Sequence, residues 1–258
     1  MGARDPRRRR TDAWYSVADT GVGVLDRVTA ILRAVEGGAH RFSAIAESTG
    51  LPRGTAHRLI RALEAHGFLA HYGGFGYRLG PDLLRLANRA ARELPLREAA
   101  HPVLEWLARA TGESAQLYVR SGDARVCVDA VESGNELRTI VPVGAALPLF
   151  AGSAAKVFVA HALDPERWVR RSEDPDRFGR DVDLVGSRGW ASSSGERQSG
   201  VGSVSAPILD PNGALVGVVS VSGPVSRMGR TNARRYAPAV TDAARGIERA
   251  LGLEDAPA

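Results

Sequence analysis

Cysteine is nearly absent from this sequence: Cys127 is the only one among 258 residues, so no disulfide can form within the chain. Long apolar runs are also missing, and no stretch reaches the roughly 18 apolar residues that a membrane-spanning helix needs. Residues 1–16 carry arginines, but no apolar segment follows them, which argues against a secretory signal. We therefore expect a cytoplasmic protein with no membrane partner.

Lysine is almost as scarce, since 33 of the 34 basic residues are arginine and Lys156 is the single lysine. The basic residues are distributed unevenly. Residues 1–81 hold 12 arginines against 7 acidic residues, whereas residues 82–258 hold 22 basic and 22 acidic residues. A polyanion, most commonly nucleic acid, is the simplest partner for the first third. Residues 1–20, with the run RRRR at 7–10, are expected to form a disordered basic arm; the alternative is a merely solvated tail.

The first third also has the pattern of a helix-turn-helix. Apolar residues recur at helical spacing over 22–35, and a short second helix is predicted over 42–48 with Ser43 as its N-cap. Gly50 suits the left-handed residue after that helix, and Pro52 suits the first turn of a third one. Two short helices joined by a tight glycine turn are typical of a DNA-binding helix-turn-helix.

The third predicted helix carries two contrasting faces. One is apolar, with Ala56, Leu59, Ile60 and Leu63 at i, i+3, i+4 and i+7. The opposite side combines small residues with arginine, and the predicted DNA-contacting residues lie there, on its flanks and in the segment that follows: Arg53, Gly54, Thr55, His57, Arg58, Arg61 and Arg78. Small residues allow close approach, and arginine reaches phosphates and guanine edges. An ordinary solvated face is the alternative, although such a face usually interleaves glutamate with arginine.

The residues after the third helix predict a wing and then a linker. FLAHYGGFGYRLG indicates two short strands around Gly73 and Gly74, which completes a winged helix-turn-helix over 21–80. Pro81 opens a linker helix over 81–94. Pro95 and Pro102 are expected to interrupt the helical pattern, with 95–111 as the first helix of the next domain.

From residue 113 the pattern changes to alternating strands, which predicts an α+β domain over 95–254. Pro211, Asn212 and Gly213 mark a hairpin. The other predicted elements are strands around 115–119 and 126–130 joined by a turn at 121–124, a strand at 137–144, a helix at 151–163, helical pieces over 164–190 and a closing helix at 230–251.

Several strings in this order resemble the IclR family of bacterial transcriptional regulators: LPRGTAHRLIRALEAHGFL, YRLG, ALPLFAGSAAKVFVA, RGWA, SGVGSVSAPILDPNG and VSVSGPVSR. The resemblance covers roughly residues 20–252. It implies a homodimer or homotetramer that binds double-stranded operator DNA, acts as a repressor and has no catalytic residue or cofactor. It also implies a GAF-like C-terminal domain that holds a small effector.

The resemblance assigns an effector pocket to seven residues: Thr139, Ser153, Ala154, Ser193, Ser203, Ser220 and Ser222. Ser193 is placed in a loop where many members carry an acid, and Phe150 stands where the family often has histidine. Glu196 is the only acid left in that loop. A pocket rich in hydroxyls implies a small organic acid or a polar aromatic compound as the effector.

Other interpretations remain open from the sequence. Ser153 and Lys156 match the S-x-x-K motif of a covalent hydrolase, but a partner K-T-G motif cannot exist with a single lysine. We expect Lys156 on the surface or at a helix end, Cys127 buried, and no metal site. The competing functions are an enzyme or a small-molecule-binding module with an incidental basic N-terminus, and a winged-helix regulator that senses only through its dimer interfaces.

Overall fold

The computed structural model describes residues 23–229 and 233–253. They form two compact units, with the boundary between Glu93 and Leu94. The predicted basic arm at 1–20 and the first residues of the predicted closing helix, 230–232, lie outside the described residues. None of the helices within the described ranges is long and apolar enough to cross a membrane.

The first unit is three helices followed by a two-stranded wing and a fourth helix. Its elements are α1 Gly23–Glu36, α2 Phe42–Thr49, α3 Arg53–Ala65, β1 Leu69–His71, β2 Tyr77–Leu79 and α4 Pro81–Arg92. Its core is made by apolar residues at helical spacing: Ile31, Val35, Ile45, Ile60, Leu63 and Leu69. Burial of these side chains fixes which faces of α1, α2 and α3 meet, so the opposite face of α3 is left to solvent.

The turn between α2 and α3 follows the prediction, but the start of α2 does not. Gly50 adopts φ 64°, and its N–H donates to the carbonyl of Glu47. Ser43 is not the N-cap as predicted, because α2 begins at Phe42 and the N-cap is Arg41, two residues before Ser43, without a side-chain cap. Phe42 packs against the core of the unit, and this contact draws it into the first turn.

The wing is a short antiparallel hairpin anchored to the loop before α2. Leu69 pairs with Leu79 and His71 with Tyr77, and a 3-10 turn at Gly73–Phe75 joins the strands. The Tyr77 N–H donates to the His40 carbonyl at 2.7 Å. Gly76 has φ 71°, and a side chain there would collide with the same carbonyl, so glycine is required for this attachment.

The second unit is built on a six-stranded antiparallel sheet with the order β5-β4-β3-β8-β7-β6. Its strands are β3 Ser114–Ser121, β4 Ala124–Val131, β5 Ala146–Pro148, β6 Ala191–Ser194, β7 Val201–Leu209 and β8 Leu215–Pro224. The hairpin predicted at Pro211, Asn212 and Gly213 joins β7 to β8, and Gly213 has φ 79°. This confirms the α+β class of the domain.

Helices cover both faces of this sheet. The helices are α5 Pro95–Thr111, α6 Ser153–Ala160, α7 Glu166–Val169, α8 Pro175–Arg188, α9 Val225–Met228 and α10 Ala233–Ala250. One core joins α5 and α10 to the sheet through residues such as Leu104, Val219 and Val240. The other joins α6, α7 and α8 to the opposite face through residues such as Phe158, Phe178 and Val218.

Two predictions about the strands of the second unit are wrong. Residues 137–144 do not form a strand, because the free edge of β4 is paired with β5 and Pro142 has no N–H to donate. Thr139 therefore lies in a loop, although its side chain is buried. Conversely Ser193, predicted in a loop, lies in strand β6 directly opposite Ser203 of β7.

Pro102 does not interrupt the first helix of the second unit. Helix α5 continues from Pro95 to Thr111 with Pro102 inside it. A proline within a helix costs about 3 kcal/mol or more, and the burial of Leu96 on one side and of Leu104 and Leu107 on the other offsets this loss.

Candidate functional site

The N-terminal part of α3 holds two of its polar side chains against one aromatic ring. The Arg53 guanidinium lies 5.8 Å from the centroid of the Phe42 ring. The His57 ring meets the same phenyl ring edge-on, with centroids 6.0 Å apart. Both residues remain exposed, while Phe42 is half-buried. Arg53 and His57 are therefore oriented before any ligand arrives.

The rest of the exposed face of α3 is less constrained. Arg58 is exposed and has no hydrogen bond or ion pair with any described residue. Arg61 reaches Glu64 at 3.6 Å, although its side chain is 70% exposed. Gly54 has no neighbour within 4 Å of an added Cβ, and Thr55 is half-buried. The arrangement leaves Arg58 as the most available cation of α3, with Arg61 partly engaged.

The wing lies beside this face of α3. Partial burial raises the pKa of Tyr77 in β2, and the charge of Glu64 adds to the increase while that of Arg61 opposes it. Arg78 donates from Nη1 to the carbonyls of Phe75 at 2.7 Å and Tyr77 at 3.0 Å. Arg78 thus stiffens the wing in addition to carrying charge. The Phe75 side chain, at the end of the 3-10 turn, is 76% exposed.

A pocket opens in the second unit between β3, β4, β7, β8 and the N-terminus of α6. The space between its walls is about 380 Å³ including the part open to solvent, whereas the cavity itself has a volume of about 20 Å³, enough for about one water molecule. Thirteen residues line it: Tyr118, Arg125, Val141, Gly152, Ser153, Ala154, Ser193, Arg197, Gln198, Val201, Ser203, Ser220 and Ser222. No aspartate or glutamate is among them.

Five serine hydroxyls along one wall form a continuous hydrogen-bonded chain. Ser153 Oγ lies 2.6 Å from Ser203 and 2.7 Å from Ser205, and Ser193 lies 2.9 Å from Ser203. Ser205 donates to Ser220 at 2.8 Å, and Ser220 donates to the Val204 carbonyl at 3.2 Å.

The direction of this chain follows from the single proton of each hydroxyl. Because Ser220 uses its proton on the Val204 carbonyl, every preceding hydroxyl must donate towards Ser220. Ser193, at the far end, therefore donates to Ser203 and keeps its lone pairs for the pocket. Ser222 likewise donates to Gln116 Oε1 at 3.1 Å. The serine wall therefore presents hydrogen-bond acceptors to a ligand.

Two arginines supply hydrogen-bond donors and positive charge to the same pocket. Arg125 is 3% exposed and donates from its two terminal nitrogens to the carbonyls of Pro148 and Ala151. Its Nε is buried and has no hydrogen-bond partner among the residues that the structure describes. Burial lowers the pKa of Arg125 to about 10, partly opposed by Tyr118, and the like charge of Arg197 lowers it further. Arg197 is half-buried, and none of the described residues forms a hydrogen bond or ion pair with it.

Lys156 is not the surface or capping lysine that the sequence suggested. Its side chain is 1% exposed, and its ammonium donates to Asp181 at 2.7 Å, Glu196 at 2.6 Å and the Ser192 carbonyl at 2.9 Å. The loop 195–200, which carries Arg197 and Gln198, is thereby held against α6. The hydrolase interpretation of the S-x-x-K match, which the sequence did not favour, gains no support, since the ammonium is already bound by two carboxylates and a carbonyl.

Six of the seven residues that the resemblance assigned to the pocket line it, and Thr139 does not. Sequence reasoning missed Tyr118, Arg125, Arg197 and Gln198. Tyr118 and Arg125 lie at neighbouring positions on the paired strands β3 and β4, so the strand register could have indicated that they share the pocket wall. Arg197 and Gln198 lie in an irregular loop, for which the sequence gives no such signal. Within the described ranges no group of three or more His, Cys, Asp or Glu residues could hold a metal ion.

Comparison with known proteins covers both units. Residues 24–71 match the IclR helix-turn-helix domain, and residues 88–249 match the C-terminal domain of bacterial IclR transcriptional regulators. The chain is 36% identical to the glycerol operon regulatory protein of Streptomyces coelicolor over 243 residues, which span 88% of this chain and 96% of that protein.

Solved structures show the same fold. An IclR transcriptional regulator from Alicyclobacillus acidocaldarius matches with a TM-score of 0.77 and 24% identity, over 90% of this chain and 99% of that one. An IclR homologue from Microbacterium hydrocarbonoxydans complexed with 4-hydroxybenzoate matches with a TM-score of 0.73 and 24% identity, over 90% and 100%. With both of its units matched in this way, this protein belongs to the IclR family of bacterial transcriptional regulators.

Proposed function

We propose that this protein is a cytoplasmic, non-enzymatic repressor that leaves its operator when a small effector fills the pocket of the second unit. The single observation that carries this proposal is the pairing, within one chain, of an exposed basic helix with a hydroxyl-lined pocket free of carboxylates. The first can hold a polyanion, and the second suits a small polar molecule.

For DNA, the proposed contacts are those of α3 and the wing. Helix α3 enters the major groove, where Arg58 and Arg61 reach phosphates or base edges, and Gly54 allows close approach. Arg53, Thr55 and His57 lie at the N-terminal end of the helix, and Arg78 supports the wing against the adjacent backbone. Phosphate contacts make the affinity fall steeply with salt.

A second copy of the chain is the proposed partner of α4. Leu83, Leu84, Leu86, Ala87 and Ala90 fall on one side of this helix at 100° per residue. Leu84 and Leu86 are exposed, so this apolar side is uncovered in the single chain. A dimer would cover it and place two α3 helices at half-sites about one helical turn apart. A tetramer would need a further interface.

The effector class proposed from the resemblance is a small organic acid or a polar aromatic compound. The relative from Streptomyces is named for a glycerol operon, and the homologue from Microbacterium was solved with 4-hydroxybenzoate. Both names are consistent with a small polar ligand in the pocket described above. Such a ligand changes operator affinity only if it binds one arrangement of the DNA-bound pair better than another.

The experiment is a titration of the promoter of the protein's own gene by fluorescence anisotropy, with and without cell-derived small molecules. Arg58→Ala should abolish most of the operator affinity, whereas Arg180→Ala, which removes an exposed arginine from the second unit, should leave it intact. Ser203→Leu should keep operator binding but lose effector-induced release. Full operator affinity in Arg58→Ala would remove α3 from the interface, and undiminished release in Ser203→Leu would remove the pocket from the response.

A further inference from the structure

The walls of the pocket carry two positive charges and no negative one. Arg125 and Arg197 both line it, and the nearest carboxylate of the adjoining loop, Glu196, is bound to Lys156 at 2.6 Å and lies 3.5 Å from Arg177. Two like charges around one small, partly enclosed space repel each other, and burial of Arg125 adds a desolvation cost. A negatively charged group between them would relieve both effects.

The hydrogen-bonding capacity of these arginines is also incomplete. The Arg125 side chain is almost completely buried, yet its Nε–H has no hydrogen-bond partner within residues 23–229 and 233–253. A buried donor left unsatisfied is energetically unfavourable. Arg197, on the loop that borders the same space, has all its donors available. An oxyanion could accept from the Arg125 Nε and from Arg197 together, with charge-assisted bonds that are stronger than neutral ones.

The serine wall requires a hydrogen-bond donor from the ligand. Because the protons of Ser193 and Ser222 are donated to Ser203 and Gln116, their free lone pairs accept rather than donate. A simple anion offers only acceptors to that wall and gains nothing from it. A ligand hydroxyl, in contrast, can donate to Ser193 or Ser222 while an anionic group of the same molecule faces the arginines.

We infer that the ligand of this pocket is a small hydroxylated anion, whose charge is bound by Arg197 and the Nε of Arg125 and whose hydroxyl groups donate to Ser193 and Ser222. The inference rests on the proposed function and narrows it, because it rejects uncharged polar compounds as well as acids without a hydroxyl. Hydroxycarboxylates and polyol phosphates share this chemistry.

Isothermal titration calorimetry of the full-length protein at constant ionic strength tests the inference with probes of one carbon skeleton. Glycerol has hydroxyls without charge, propionate has charge without hydroxyls, and glycerate and glycerol 3-phosphate have both. 4-Hydroxybenzoate and its uncharged amide repeat the comparison on an aromatic skeleton. At least one hydroxylated anion should bind about tenfold or more tightly than its uncharged counterpart, which corresponds to about 1.4 kcal/mol. Glycerate against glycerol 3-phosphate distinguishes a carboxylate from a phosphate.

Arg197→Gln is the decisive variant, since that side chain makes no hydrogen bond or ion pair with the residues that the structure describes. It should lower the affinity for the charged probes about tenfold and leave the affinity for the uncharged probes unchanged. Arg180→Gln should change neither affinity. Equal affinities for charged and uncharged probes, unchanged binding in Arg197→Gln, or no binding of any charged probe at about 10 mM would each overturn the inference. Operator titration of the same samples separates these outcomes from failure of the proposed function, because a protein that still binds its operator remains a regulator.

Discussion

Lys156 and Glu196 are 40 residues apart in the sequence, and their charged groups meet at 2.6 Å. The same ammonium lies 2.7 Å from Asp181 of α8. The other carboxylate oxygen of Glu196 accepts from the Gly152 N–H at 3.3 Å, at the start of α6. One buried cation therefore fixes the loop that carries Arg197 and Gln198 to the helix whose first turn carries Ser153.

Replacement of Lys156 by methionine should be strongly destabilising. The variant keeps most of the apolar stem but leaves Asp181 without its cation and Glu196 with only Arg177 at 3.5 Å. Breaking a buried pair in this way costs about 3–5 kcal/mol. Urea unfolding measures the change. The double variant with Glu196→Gln should lose less than the two single variants combined, because one of the uncompensated charges is removed. A loss below about 1 kcal/mol would mean that the cluster behaves as a surface ion pair.

The wing-tip residue Phe75 should contribute non-ionic affinity for DNA. Its ring is exposed on a turn whose carbonyl is held by Arg78, and apolar side chains at such positions can insert between base steps of the minor groove. Phe75→Ala should weaken operator binding by about 1–3 kcal/mol. Because no charge is removed, the slope of log affinity against log salt should stay unchanged, whereas Arg58→Ala should reduce that slope by about one. A changed slope or unaltered affinity in Phe75→Ala would contradict a non-ionic contact.

Disruption of the apolar side of α4 should separate the chains. Leu84 is 66% exposed in the single chain, and a glutamate there would place charge in the centre of the proposed dimer contact. Leu84→Glu should shift the mass in solution from dimer to monomer and reduce operator affinity, because half-sites can no longer be occupied jointly. Light scattering after size exclusion measures the mass. Leu163→Glu, the same change at another exposed leucine, should remain dimeric; an unaltered mass in both variants would place the interface elsewhere.

Most of the secondary structure that can be predicted from this sequence depends on residues close together in the chain. The Gly50 turn, the wing glycines and the hairpin at Pro211, Asn212 and Gly213 each depend on the backbone of neighbouring residues, so the sequence alone predicts them. The serines two residues apart on one strand, Ser220 and Ser222, were likewise expected to face one side. Each of these predictions needs only a local period or a single turn type.

The remaining features depend on contacts between distant parts of the chain. Burial of Lys156 requires both Asp181 and Glu196, and neither carboxylate is marked by spacing in the sequence. Whether residues 137–144 form a strand depends on which segment pairs with the edge of β4. The unpartnered Nε of Arg125 depends on the carbonyls of Pro148 and Ala151 occupying the other nitrogens. Long-range register and loop placement decide these points, and periodicity carries no information on either.

Cys127 should make the protein lose stability in mild alkali. Its thiol is fully buried and donates to the Asp129 carbonyl at 3.3 Å. Burial raises the pKa of Cys127 to about 12, and the charge of Asp129 adds to the increase. The folded state therefore keeps the proton that the unfolded state releases above its ordinary value of 9.0. Since the unfolded state then binds fewer protons, the free energy of unfolding falls as pH rises from about 9 towards 12.

Thermal unfolding at pH 8 and pH 10 measures this loss against the variant Cys127→Ala. Between these two values the wild type should lose about 1 kcal/mol more than the variant, which corresponds to roughly 2–4 °C in Tm for a unit of this size. Burial, and secondarily the charge of Cys127, raises the pKa of Tyr118. The part due to burial destabilises both proteins in the same direction and is common to the comparison. Equal losses in the two proteins would show that the thiol ionises as readily in the folded state as in the unfolded one, and rapid labelling of the native thiol at pH 8 would point to the same conclusion.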